Sequence, residues 1–238
     1  MKKVIIVGAS SGIGKSLAEI FVENSYKVGI TGRRTSLLEE IKKENTENIF
    51  IKSFDIQQVN SIPDNLSELT NELGGLDLLI ISSGTGDLNE LLDFTVEKNT
   101  LDTNVSGFTA IADWAFNYFS KQKFGHLVGI SSIAGLRGNK IATAYSASKA
   151  YQINYLEGLR IKASKLSLPI FVTDIRPGFV DTEMAKGEGI FWKSTVDKAT
   201  KQIFKAIQSK RKTAYITKRW GIIAFLFKIL PNWLFERI

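Results

Sequence analysis

Tyr145 and Lys149 stand four residues apart in Tyr145-Ser146-Ala147-Ser148-Lys149, at the start of a stretch with helical spacing. Four residues is about one helical turn, so the phenol and the ammonium share a face. An ammonium ~4–5 Å from a phenol at intermediate dielectric favours the phenolate and lowers a pKa of ~10 by one to three units. A phenol tuned in this way exchanges protons near neutral pH, which suits acid–base work on an alcohol or carbonyl oxygen. A core aromatic beside a surface lysine has the same spelling, so the neighbouring motifs must decide.

A second group of residues has the form of a phosphate cradle. The apolar run Lys3–Val7 leads into Gly8-Ala9-Ser10-Ser11-Gly12-Ile13-Gly14 and then a helical pattern. A strand, a glycine turn and a helix aim backbone N–H groups and the positive helix end at an anion. Glycine is needed where a side chain would block the turn, the pyrophosphate or the helix–strand contact. Gly8, Ser10, Ser11, Gly12, Ile13 and Gly14 are therefore candidate cofactor contacts. The same letters fit a loosened nucleoside-triphosphatase loop, Ala9-x4-Gly14-Lys15-Ser16. That reading requires a metal-binding carboxylate at a strand end, whereas Asp77 stands at the beginning of its strand. Further on, the second strand ends in Thr31-Gly32-Arg33-Arg34, with no acid before Glu39. An acid there would take a ribose 2′-hydroxyl, and arginine suits a 2′-phosphate. Arg33 and Arg34 thus point to NADP(H); the bland alternative is a solvated pair opening a helix.

The elements that would position these groups alternate along the chain. Strands are expected over 3–7, 27–31, 48–52, 76–81, 126–131, 170–175 and 213–216. Helices are expected over 12–24, 35–43, 58–73, 101–121, 145–167 and 195–208. Strands alternating with helices imply right-handed βαβ units and a parallel sheet covered on both faces. The chain has 238 residues, enough for one sizeable core and few for two. It has no Cys and a single His, His126, which excludes disulfides, thiolate nucleophiles and His-rich metal sites. His126 itself reads as structural. The apolar run after Lys3 is too short for a signal peptide and nothing is long enough to span a bilayer, so a cytoplasmic protein is expected. The net charge is +7, but from Ser209 onward seven basic residues face one acid. Basicity belongs to the C-terminus, not the fold, and a nucleic-acid partner is not expected.

Taken in order, the motifs resemble the short-chain dehydrogenase/reductase family over residues 3–216. The resemblance rests on Gly8-x3-Gly12-x-Gly14, Asp55-Ile56, and Asn104 within Asn104-Val105-Ser106-Gly107. It continues through Ile130-Ser131-Ser132-Ile133-Ala134-Gly135, Tyr145-x3-Lys149, and Arg176-Pro177-Gly178-Phe179-Val180-Asp181-Thr182. The resemblance implies a Rossmann-type doubly wound α/β sheet of about seven strands, with helices on both faces. It also implies an enzyme that moves a hydride between NADP(H) and a carbonyl or alcohol. Tyr145 would then be the acid/base and Ser132 would hold the substrate oxygen. Lys149 would bind the nicotinamide ribose and tune Tyr145, and Asn104 would hold a water linking Lys149 to solvent. Pro177, Gly178 and Thr182 would shape the nicotinamide pocket, with Asp55 and Ile56 near the adenine. One departure stands out: Ser82-Ser83-Gly84 replaces the family's Asn-Ala-Gly. Gly84 still allows the backbone to approach the cofactor, while Ser82 is a shorter brace between strands.

Residues 183–193, with two glycines beside Phe191-Trp192, read as a substrate lid with apolar teeth, favouring a hydrophobic carbonyl compound. The division expected is a single domain over 1–217 and a C-terminal apolar, basic-flanked segment over 218–238. Residues 220–230 are apolar all around a helix and must be covered by the substrate pocket, a second subunit or a bilayer surface. A homo-oligomer and peripheral membrane contact are the partners expected besides the small substrate. The competing functions are a catalytically idle NADP-binding partner protein and, more remotely, the nucleotidase.

Overall fold

The computed structural model describes residues 1–44, 46–183 and 192–236, with only the backbone of Lys228. Its sheet is built from β1 (Lys3–Val7), β2 (Lys27–Gly32), β3 (Ile49–Ser53), β4 (Leu78–Ile81), β5 (Gly125–Ile130), β6 (Ile170–Pro177) and β7 (Thr213–Ile216). The order is β3-β2-β1-β4-β5-β6-β7, and every pairing is parallel. β1 shows why the strands are nearly continuous apolar runs. Val4 and Ile6 face one core while Ile5 and Val7 face the other, and all four are fully buried.

The first core is covered by α1 (Gly12–Glu23), α2 (Thr35–Glu44) and α7 (Val196–Gln208), through residues such as Leu17, Phe21, Leu38 and Ile203. The second is covered by α3 (Ile62–Leu73), α5 (Phe108–Gln122) and α6 (Thr143–Leu166), through Leu66, Phe108, Phe119 and Leu156. The chain runs outward one way from β1 and the other way from β4. The crevice between their carboxyl ends is where an open α/β sheet binds its ligand.

The helix expected to open at 101 begins earlier, as α4 (Phe94–Leu101), and runs through a π-helical segment, Asp102–Gly107, into α5. Asp93 starts it, its carboxylate accepting the Thr95 N–H at 2.8 Å. The polar Glu97-Lys98-Asn99 stretch hides this turn from an apolar-period reading. β6 runs two residues past its expected end, with Pro177 at a strand terminus where its missing donor costs nothing. After β7 come α8 (Trp220–Ile229) and the short α9 (Asn232–Phe235), separated by Pro231. No helix among the described residues is long and apolar enough to cross a membrane.

Candidate active site

A cavity of about 1210 Å³ opens at the crevice. Its walls include Gly8, Ser10, Ser11, Gly12, Ile13, Gly14, Arg33, Arg34, Asp55, Ile56, Gly84, Ser132, Tyr145, Lys149, Pro177, Gly178 and Thr182. The candidates picked from sequence therefore converge on one space. Asn104 is the exception: it is fully buried behind the wall. Of the expected lid, Met184 to Phe191 lie outside the described residues.

At one end of the cavity the chemistry suits phosphate. Gly8 adopts φ +86°, and the N–H groups of Gly8 and Ala9 donate to the Thr31 carbonyl at 3.0 and 2.9 Å. This fixes the loop against β2. The first intrahelical bond of α1 runs from the Lys15 N–H to the Ser11 carbonyl at 3.2 Å, so the N–H groups of Gly12, Ile13 and Gly14 precede it. A Cβ on Gly14 would lie 2.1 Å from the Gly8 carbonyl oxygen, so only glycine closes this turn. The Arg34 guanidinium lies across the loop, its Nη2 donating to Ser10 Oγ at 2.9 Å and Ser11 Oγ at 2.6 Å. Arg33 is 64% exposed and sits 3.7 Å from the Asp55 carboxylate. Two guanidiniums beside a helix N-terminus form a donor set that fits a dinucleotide carrying an extra phosphate.

Lys15 and Ser16 do not join that set. Lys15 faces Glu19 one turn along α1 at 3.9 Å, and Ser16 hydrogen-bonds Thr200 of α7 at 3.0 Å. Neither lines the cavity. Asp77 accepts the Lys3 N–H at 2.8 Å at the opposite edge of the sheet. Lys15, Ser16 and Asp77, the side chains that the nucleotidase reading assigns, thus stand away from the cavity.

The other end of the cavity holds the residues expected to do acid–base work. Ser132 follows β5 and caps a 3-10 turn, Ile133–Leu136, its Oγ accepting the Ala134 N–H at 3.1 Å. Tyr145 and Lys149 project from the first turns of α6. Burial pushes the Tyr145 phenol above its ordinary value, and a hydrogen bond with Ser132 opposes that shift. Spacing alone predicts that Lys149 lowers the phenol; desolvation outweighs it. The Lys149 ammonium lies 5.7 Å from the Tyr145 ring centroid. It donates to the Ile130 carbonyl at 3.1 Å and to Gln152 Oε1 at 2.9 Å. Burial lowers Lys149 to about 8, with the Asp174 carboxylate opposing. Asn104 pairs its amide with the Thr85 backbone in both directions, at 2.9 and 2.7 Å, and donates to Ser148 Oγ at 3.0 Å.

Three residues that the sequence reading passed over matter here. Gly86 lies against Tyr145, where an added Cβ would be 2.3 Å from the ring. Gln152 joins Lys149 to the Asn104 main chain; its place on the buried stripe of α6, three residues after Lys149, is the signal that could have found it. Arg137 ties the C-terminal segment down, donating from Nε to the Phe227 carbonyl and from Nη1 to Asn232 Oδ1, both at 2.7 Å, and also to the Leu230 carbonyl. The inner face of α8 thereby becomes part of the site. Trp220 is 1% exposed and lines the cavity with Phe227, while Ile222, Phe225, Leu226 and Ile229 stay exposed on the outer face. The cavity wall thus takes up one side of the apolar helix, and the other side stays exposed. His126 stands apart, buried and 2.8 Å from Thr173 Oγ1.

A doubly wound parallel sheet with a glycine loop at its switch point, and a serine, a tyrosine and a lysine lining one cleft, defines a Rossmann-type α/β protein. The family model for short chain dehydrogenases matches residues 2–190. An uncharacterized oxidoreductase of Mycobacterium tuberculosis is 32% identical, covering 99% of this chain and 96% of that protein. One from Myxococcus xanthus is 31% identical, covering 99% and 95%. Among solved structures, a short chain dehydrogenase/reductase from Burkholderia phymatum in complex with NAD superposes with a TM-score of 0.86 at 17% identity, covering 94% of this chain and 92% of that one. ElxO with NADP bound gives 0.79 at 24%, covering 90% and 96%. This chain belongs to the short-chain dehydrogenase family and is an oxidoreductase.

Proposed function

We propose that this protein is an NADP(H)-dependent reductase that interconverts an apolar carbonyl compound and its alcohol. The observation that carries the reading is the meeting of Ser132, Tyr145 and Lys149 at one end of a cavity whose other end presents Arg33, Arg34 and the first turn of α1. The nicotinamide supplies or accepts the hydride when bound. Ser132 Oγ holds the substrate oxygen, and Tyr145 gives it a proton in reduction or takes one in oxidation. The phenol is protonated at neutral pH, the form a proton donor needs. Lys149 binds the nicotinamide ribose and supplies the positive charge that steadies the phenolate left after transfer. Asn104 braces the Thr85 backbone and α6 behind the lysine. Pro177, Gly178 and Thr182 shape the nicotinamide end, Gly84 lets the backbone approach, and Asp55 with Ile56 borders the adenine. Leu88, Ile141, Phe179, Trp220 and Phe227 in the cavity wall favour an apolar substrate. The test is NADPH oxidation over a panel of hydrophobic ketones, aldehydes and sugars. Turnover confined to sugars would remove the apolar assignment, and no turnover on any carbonyl would remove the reductase reading.

We also propose, from the family resemblance, a homo-oligomer formed through the outer faces of α5 and α6. The exposed outer face of α8, flanked by the exposed cations Lys218 and Arg219, is proposed to rest on an anionic lipid surface. Sedimentation with anionic vesicles, lost in Phe225→Ser/Ile229→Ser, is the expected result. A change in native mass without any vesicle binding would assign that face to a second copy.

A further inference from the structure

Gln152 lies three residues after Lys149 on α6 and is 0% exposed. A primary amide that deep must find partners for both of its ends. Its Nε2 donates to the Asn104 main-chain carbonyl at 2.9 Å, and its Oε1 accepts from Lys149 Nζ at 2.9 Å. A carbonyl only accepts and an ammonium only donates, so the amide has a single workable orientation. Its anchor is firm. Asn104 sits in the π-helical segment between α4 and α5, where its side chain is bound to Thr85 and Ser148.

Building on the oxidoreductase reading of Tyr145 and Lys149, we propose that Gln152 is a positioning residue for Lys149, tying the ammonium to the Asn104 main chain and holding it charged and aimed into the cavity. The groups facing the ammonium are few. Tyr145 lies on its own helix, the Ile130 carbonyl comes from the end of β5, and Asp174 acts from β6. Asp174 is itself committed, pairing with Arg176 at 2.6 Å and accepting from Ser131 Oγ at 2.5 Å. Among the described residues, no carboxylate forms an ion pair with Lys149. Burial already lowers this lysine to about 8, so losing one of its two hydrogen-bond acceptors matters. A neutral amide does not readily take up and pass on a proton. The link therefore fixes a charge in place and is not a proton relay.

The test is the titration of Lys149 read from the 13Cε resonances of lysine-labelled full-length protein, assigned by its disappearance in Lys149→Met. Two near-isosteric variants are compared with the parent. Gln152→Met removes the acceptor, and its midpoint is expected about one pH unit lower. Gln152→Glu supplies a carboxylate, and its midpoint is expected about one unit higher or more. A residue that only fills space would not move the titration in opposite directions. Midpoints within about 0.2 unit of the parent, or shifts of the same sign, overturn the proposal. If one variant fails to fold, the sign of the other decides. The readout needs no turnover, so inactivity toward carbonyl compounds would count against the proposed function and leave this inference standing.

Discussion

Arg137→Met should release the C-terminal segment from the active site without unfolding the protein. Methionine keeps an apolar stem but removes every donor. The Phe227 and Leu230 carbonyls lie at the end of α8, where the last four carbonyls of a helix lack intrahelical partners and a nearby cation is favourable. Two part-buried hydrogen bonds to them contribute about 1–1.5 kcal/mol each. The contact of the guanidinium with the Phe235 ring, at 5.3 Å, adds about 0.5 kcal/mol. The exposed bond to Asn232 adds little. The sum, about 2.5–3.5 kcal/mol, is a shift of roughly 60- to 400-fold in the docking equilibrium of residues 221–236. Hydrogen exchange followed by mass spectrometry reads this directly, as faster exchange in the peptides of α8 and α9. The sheet should keep its protection, and NADPH affinity should stay within about twofold, because no donor of Arg137 faces the phosphate end. Unchanged exchange in α8 would refute the account of Arg137 as the tail's fastening.

Two further outcomes follow from particular contacts. Arg34→Leu should weaken NADPH binding by about one to two decades, the worth of a charge-assisted contact to phosphate, and leave NADH nearly unaffected; equal losses in fluorescence titrations would show that Arg34 only braces the loop through Ser10 and Ser11. His126 is lowered by burial from 6.5 to about 4. The unfolded chain therefore takes up a proton that the folded state refuses, and stability falls as pH drops through that window, by about 2–3 kcal/mol at pH 4.5. His126→Asn should lose less than the parent between pH 7 and 4.5 in urea titrations, and an equal loss would mean that other groups carry the acid sensitivity.

The sheet was legible because each strand is a short apolar run bounded by glycine or polar residues, and both faces are covered. The site was legible where its residues are consecutive, as in the glycine loop and in Tyr145-x3-Lys149. What escaped was set by long-range contact. Arg137 meets the carbonyls of Phe227 and Leu230 across some ninety residues, and no local pattern announces such a pair. Gln152 reads locally as one more polar helix residue, and only burial reveals its role. The direction of the Tyr145 shift was misjudged for a related reason: spacing brings a cation near, but desolvation depends on how much protein surrounds the ring. The turns from Phe94 to Leu101 escaped because the polar Glu97-Lys98-Asn99 stretch breaks the apolar period, so the helix appeared to start at 101.

The central claim is that Tyr145 protonates the oxygen of a carbonyl substrate while hydride arrives from NADPH. Single-turnover reaction of [4,4-2H2]NADPH with the best ketone or aldehyde of the panel, followed by mass spectrometry of the product alcohol, tests it most directly. The account predicts one deuterium on the carbinol carbon with the parent protein. It also predicts a transfer rate at least about a hundredfold lower in Tyr145→Phe, at nearly unchanged NADPH affinity, the usual worth of a positioned general acid. Label transfer at equal rates in both proteins, or bound NADPH that never labels any alcohol product, would contradict it.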